Sequence, residues 1–235
     1  MTTFVLVHGA YHGGWCWRDF APLLAAKGHR VLTPTLSGLG ERFDEGTREI
    51  GLATHVADIV RLYETEKLTD TVLLGHSYGG AVVGGAADAV AGQISALIYL
   101  DAIIPENGRS VLDFQFEDRR REFLSKADAY NGWQIPPPPV SFYGITDPVQ
   151  QRWADANCVS QPLKCFTEAS VLTGAGSAVA RTAYIRCIDP VLAYMDQFQN
   201  QAADNGWDVY ELATGHDCMV TKPRDLADIV LTYAS

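Results

Sequence analysis

The chain has 235 residues, 47% of them hydrophobic and 20% charged, with a formal net charge of −10. That is enough apolar material to bury one substantial core, so a single domain over residues 1–235 is expected and a disordered chain is excluded. The acidic balance disfavours nucleic acid and anionic membrane surfaces as partners, and strongly anionic substrates with them.

The sequence opens with Met1-Thr2-Thr3 and enters directly the apolar run Phe4-Val5-Leu6-Val7. With no basic segment ahead of that run, no signal peptide is expected, and no apolar stretch is long enough to span a bilayer. Cysteines stand at 16, 158, 165, 187 and 218, an odd number with no C-x-x-C pair. Such usage fits reduced thiols in a cytoplasmic protein and neither a disulfide framework nor a zinc site. No metal-ligand spacing occurs elsewhere, and no cofactor is expected.

Residues 4–7, 30–32, 71–74 and 96–100 read as buried strands, being short, apolar and bounded by glycine or polar residues. Between them, 17–27, 54–66 and 79–90 read as helices; in the second, Val56, Ile59, Val60 and Tyr63 share one face. This alternation predicts an α/β fold, a mainly parallel sheet with helices on both faces. It stops after Asp101. Residues from about 104 to 180 are rich in charge, aromatics and proline, with helical stretches at 117–126 and 147–157 flanking four prolines at 136–139. The alternation resumes with a strand at 183–188, a helix at 191–203, a strand at 209–212 and a closing helix at 223–233. The stretch 104–180 therefore reads as a small cap inserted into one α/β core.

Gly75-His76-Ser77-Tyr78-Gly79 matches G-x-S-x-G between a strand and a helix. In that context the serine sits on a tight turn that lifts its hydroxyl out of the sheet, the position of a nucleophile. A serine needs a base. Of histidines 8, 12, 29, 55, 76 and 216, His216 lies just after the last strand, at the sheet edge where Ser77 emerges. Asp189 follows the strand 183–188 and is the expected acid, in the order Ser77, Asp189, His216. Asp101 also ends a strand on that edge and competes, its other role being to hold the entrance to the cap. The oxyanion donors are expected from the backbone N–H groups of Tyr78, after the nucleophile, and Ala10, in the loop after the first strand.

Trp15 and Trp17 read as core, whereas Trp133, beside the prolines, is a candidate pocket residue. His12 is a candidate substrate contact, or else a bond to the backbone of its own glycine-rich loop. Ser37-Gly38-Leu39-Gly40 lacks the third glycine of a dinucleotide fingerprint.

The run from Phe4 to Ala10, His12-Gly13-Gly14-Trp15 with Trp17, and Gly75-His76-Ser77-Tyr78-Gly79-Gly80 resemble the plant methylesterase and hydroxynitrile lyase branch of the α/β-hydrolases, which bacterial esterases share. The likeness covers the first hundred residues and the final fifty and is faint through the cap. It implies an α/β-hydrolase fold, a triad acid from the segment matching 184–189, oxyanion donors at Ala10 and Tyr78, and a cap that sets the substrate pockets. The implied activity is hydrolysis of a small uncharged ester through an acyl-enzyme on Ser77. Two other outcomes belong to this fold: cyanohydrin cleavage and non-catalytic binding of a small molecule. The lyases of the branch carry threonine at the position of Gly9 and lysine at that of Asp217. A negative charge at Asp217 would oppose a cyanide leaving group, so the esterase reading leads. The oligomeric state is open, a homodimer included.

Overall fold

The computed structural model describes residues 1–234. Strand β1 (Thr3–Val7) leads through a 3₁₀ turn at Gly14–Trp17 to a short helix α1 (Ala21–Ala25) and β2 (Arg30–Leu32). Then come α2 (Leu52–Glu66), β3 (Thr71–His76), α3 (Gly79–Val90) and β4 (Ile94–Leu100). The next stretch holds α4 (Glu117–Tyr130), β5 (Gln134–Ile135), α5 (Pro148–Asn157), β6 (Gln161–Pro162) and α6 (Lys164–Thr167). The chain closes with β7 (Thr182–Cys187), α7 (Asp196–Asp204), β8 (Asp208–Leu212), α8 (Cys218–Thr221) and α9 (Pro223–Val230).

Six strands form one parallel sheet in the order β2-β1-β3-β4-β7-β8. Strand β3 is buried at every position, which is why it reads as a continuous apolar run rather than an alternating one. Parallel pairing sends every strand's carboxyl end to the same edge, so the segments after β1, β3, β4 and β8 converge there. Those segments carry Ala10, Ser77, Asp101 and His216.

Two predicted helices start later than their sequence pattern suggests. Residues 17–27 contract to α1, which has Pro22 in its first turn. Upstream, the chain is pinned to β2's exit by a hydrogen bond from Gly14 N–H to Thr35 Oγ1 (2.7 Å). The helix expected from 191 begins only at Asp196, because the Leu192 carbonyl is taken by the Arg186 guanidinium (2.9 Å).

Between β4 and β7 the chain builds a layer over the converging strand ends. Strands β5 and β6 pair antiparallel within it, and Asp147 caps α5 by accepting from Val149 N–H and Gln150 N–H. Two bonds fasten this layer to the loop after β1: Tyr11 N–H donates to Gln161 Oε1 (2.9 Å), and Val159 N–H donates to the Tyr11 carbonyl (3.0 Å). Among the described residues, no helix is long and apolar enough to cross a membrane.

Candidate active site

Ser77 occupies the turn between β3 and α3 with φ of 55°, a conformation that costs a non-glycine residue and is characteristic of strained functional turns. The turn is fixed by Ser77 N–H donating to Leu100 O (3.1 Å) and by Ile103 N–H donating to Ser77 O (3.1 Å). Gly79 is required by close approach: a Cβ there would lie 2.5 Å from the His8 carbonyl oxygen. The sequence therefore folds this way because the loop after β1 passes against the start of α3.

His216 lies in the loop between β8 and α8. Its Nδ1–H donates to Asp101 Oδ2 at 2.6 Å, with both side chains buried. Asp101, immediately after β4, also accepts from Arg186 Nη1 (2.5 Å) and from Cys187 N–H (3.2 Å). Burial alone would raise its carboxyl pKa, but the hydrogen bond and charge of His216 and the charge of Arg186 prevail and hold it below the usual value. The guanidinium is itself anchored by the Leu192 carbonyl and Asp196 (2.8 Å).

The expected acid, Asp189, does not meet the histidine. Its side chain is exposed, while its backbone N–H donates to Thr214 O (3.0 Å). The physical reason is that β7 ends against Asp101 at Arg186 and Cys187, and the chain then turns outward. Arg186 was not singled out by sequence reasoning. The signal was a lone arginine inside the apolar run Tyr184-Ile185-Arg186-Cys187, since a buried charge needs a partner.

Ala10, Ser77 and Tyr78 line one cavity beneath the layer built between β4 and β7. Neither the Ala10 nor the Tyr78 backbone N–H has an acceptor within the described protein. The Gly9–Ala10 peptide is oriented by His8, whose Nδ1–H donates to Gly9 O (2.8 Å) and whose Nε2 accepts from Leu36 N–H (3.1 Å). Burial pushes the His8 pKa down to about 3, so the ring is neutral and its tautomer set. The Ser77 hydroxyl and His216 Nε2 also make no hydrogen bond within the described protein. His216 stands beside the residue preceding Ser77, its ring 4.5 Å from that of His76.

Neither predicted pocket side chain lines this cavity. His12 is 2% exposed and stacks on Trp15 (4.9 Å). Its Nδ1–H donates to Ala10 O (2.6 Å) and its Nε2–H to Asp217 Oδ2 (3.2 Å). A carbonyl and an ionised carboxylate both accept, so these two contacts favour the doubly protonated ring facing Asp217. Burial opposes that charge, but Asp217 outweighs it and the His12 pKa is raised; the Asp217 pKa is correspondingly lowered against its own burial. Trp133 packs within the layer between β4 and β7 instead, its ring under the Arg48 guanidinium (5.9 Å) and its carbonyl accepting from Leu163 N–H (2.7 Å). The cavity walls come from other aromatics, among them Tyr11, Phe123, Phe142, Tyr143 and Phe166.

The Asp217 charge is thus turned towards His12 and neutralised, which removes the electrostatic reason first given against cyanohydrin cleavage. Gly9 carries that discrimination better. A Cβ at Gly9 would lie 2.8 Å from His76 Nδ1 and 3.0 Å from Ser77 Cβ, leaving a threonine no room in this backbone.

The model of the Alpha/beta hydrolase family matches residues 4–229. A carbendazim hydrolyzing esterase of Nocardioides sp. (strain SG-4G) is 37% identical over 97% of this chain and 98% of its own. Methylesterase 2 of Arabidopsis thaliana is 36% identical, but over 46% of this chain and 41% of its own. Among solved structures, an extracellular alpha/beta-hydrolase from a Paenibacillus species, described as sharing structural and functional homology with tobacco salicylic acid binding protein 2, aligns with a TM-score of 0.89. At 23% identity over 99% of both chains, that likeness speaks to the fold alone. A matched family model across nearly the whole length, and a full-length relative of this identity, place the chain in the alpha/beta hydrolase family.

Proposed function

We propose that the protein is a serine carboxylesterase that cleaves a small uncharged ester through an acyl-enzyme on Ser77, with His216 as base and Asp101 as the acid that holds it. The observation that carries this reading is the 2.6 Å bond from His216 Nδ1 to Asp101, combined with two unpaired backbone N–H groups beside a strained serine. The esterase relative that matches end to end supports it.

In this mechanism His216 Nε2 removes the proton as Ser77 Oγ attacks the ester carbonyl. The developing oxyanion takes the Ala10 and Tyr78 N–H groups, which have no competing acceptor to release. Asp101 keeps His216 in the Nδ1–H tautomer and stabilises the imidazolium that forms. His216 then gives its proton to the departing alcohol, and water repeats the sequence on the acyl-enzyme. Arg186 and Cys187 N–H keep Asp101 ionised and aimed. A cytoplasmic setting is part of the proposal, supported by five unpaired thiols among the described residues.

Cyanohydrin cleavage is the weaker alternative because position 9 is closed to threonine and no lysine follows His216. Ser77→Ala tests the esterase reading: p-nitrophenyl acetate and butyrate turnover should fall to the uncatalysed background. Turnover equal to wild type would contradict it. A non-catalytic binder would instead fail to react with a fluorophosphonate at Ser77.

A further inference from the structure

Aromatic rings form a large share of the wall of the cavity over Ser77, and besides the Ser77 hydroxyl the cavity holds two buried phenol hydroxyls with no hydrogen bond in the described protein. Three other buried phenols are satisfied within the protein: Tyr63, Tyr78 and Tyr184 bond Thr71 (2.6 Å), His55 (2.9 Å) and the Ala102 carbonyl (3.0 Å). Tyr11 and Tyr143 are also buried, at 3% and 8% exposure, and both line the Ser77 cavity. Neither hydroxyl has a partner in the described protein, and neither is sealed from accessible space. The sliver of surface each residue keeps opens on this cavity.

Both side chains are held in place from behind. Tyr11 adopts φ of 68°, an unfavourable conformation for a bulky residue, and both its N–H and its carbonyl are tied to the cap by Gln161 and Val159. Its ring packs on Phe166 (6.0 Å). Tyr143 ends a 3₁₀ turn, its carbonyl accepts from Asp217 N–H (3.2 Å), and its ring lies 5.5 Å from that of His216. The cations at the cavity's edge, Arg119 and Lys126, are both engaged by Glu122 (2.6 and 2.7 Å). The two buried phenols therefore add neutral, fixed donors to a cavity whose edge cations are already paired with a carboxylate.

We infer that Tyr11 and Tyr143 are specificity-determining residues that donate hydrogen bonds to a ring nitrogen or ring-borne oxygen of the substrate, which is an uncharged ester of a flat aromatic or heteroaromatic group. This rests on the esterase reading of Ser77. An all-carbon ring in the same place would displace water from the two hydroxyls without replacing its bonds, and that loses affinity. A ring carrying an acceptor restores them.

Matched pairs test the inference: methyl nicotinate against methyl benzoate for the acyl side, and 3-pyridyl acetate against phenyl acetate for the alcohol side. Each pair differs by one ring atom. For wild type, Tyr11→Phe and Tyr143→Phe, the quantity read is the kcat/KM ratio of the nitrogen-containing ester to its carbon analogue. Intrinsic reactivity cancels when ratios are compared between enzymes. In at least one pair the ratio should fall about three- to tenfold in a phenylalanine variant, the effect of losing one neutral hydrogen bond. Ratios identical in all three enzymes for both pairs overturn the inference. If Ser77 reacts with a fluorophosphonate but none of the four esters is hydrolysed, the esterase chemistry stands and the substrate class is wrong. If Ser77 does not react, both readings fall.

Discussion

His216 Nδ1 lies 2.6 Å from one oxygen of Asp101, and Arg186 Nη1 lies 2.5 Å from the other. One buried carboxylate thus faces a permanent cation on one side and an imidazole on the other. The arginine stabilises the ionised state of Asp101 in a place where burial alone would neutralise it. Asp101→Asn keeps the shape and removes the charge. It should lower kcat by about 10³–10⁴, as expected when the histidine's tautomer is no longer enforced. Asp189→Asn should leave kcat near wild type. Steady-state kinetics on p-nitrophenyl butyrate, with circular dichroism to check folding, compares the two.

Arg186 is one half of a buried ion pair with Asp101. Its side chain is fully buried. Arg186→Met should lower the unfolding free energy by about 3–5 kcal/mol, the range for breaking one side of a buried ion pair. The depressed Asp101 pKa contributes stability that is present above the ordinary value of 3.8 and lost as pH falls through the folded value. With less depression in the variant, its acid unfolding should begin at higher pH than that of wild type. Urea titrations across the acid range measure both effects.

The His12–Asp217 pair joins the loop after β1 to the segment carrying His216, and its proton count is directly observable. ¹⁵N NMR of His12 at about pH 6 should show both ring nitrogens protonated. The raised His12 pKa contributes stability that is full below 6.5 and lost as pH rises through the folded value. Asp217, with a lowered pKa, contributes stability present above 3.8 and lost as pH falls below it. Asp217→Asn can still donate an amide proton to Nε2 of a neutral ring, so it isolates the charge. The stability gap between wild type and this variant should be widest at about pH 6 and narrow towards pH 9. A gap independent of pH would show that His12 is neutral.

Gly9→Thr tests the crowding beside the nucleophile. Because a Cβ there would lie 3.0 Å from Ser77 Cβ, the loop has to shift and carry the Ala10 N–H with it. Esterase kcat should fall about 10²-fold or more, the effect of losing one oxyanion donor. Wild-type kcat in this variant would mean that Ala10 is not such a donor.

Much of the core was legible because its signals are local. The strand at 4–7 and the G-x-S-x-G elbow announce themselves by short-range pattern, and α3 spans Gly79–Val90 as its periodicity predicts. The location of His216 followed from parallel pairing, which sends strand ends to one edge. The choice of acid did not. Asp101 and Asp189 both follow strands on that edge, and it is Asp101 that meets His216 and Arg186 in the folded chain. The contact with Arg186 spans 85 residues of sequence and leaves no periodic trace. His12 and Trp133 misled for a related reason. Their residue types suit a pocket, but Asp217 and Arg48 draw them elsewhere. The cavity walls, Tyr11 and Tyr143 above all, are brought together only when the segment between β4 and β7 folds over Ser77.

The most direct test of the central claim is a rapid-quench experiment with p-nitrophenyl butyrate, followed by peptide mapping of the quenched protein by mass spectrometry. A covalent nucleophile predicts an initial burst of p-nitrophenol wherever deacylation is slow, and a butyryl group on Ser77 that persists longer in His216→Ala than in wild type. Turnover with no adduct on Ser77, or with the adduct on another residue, would contradict it.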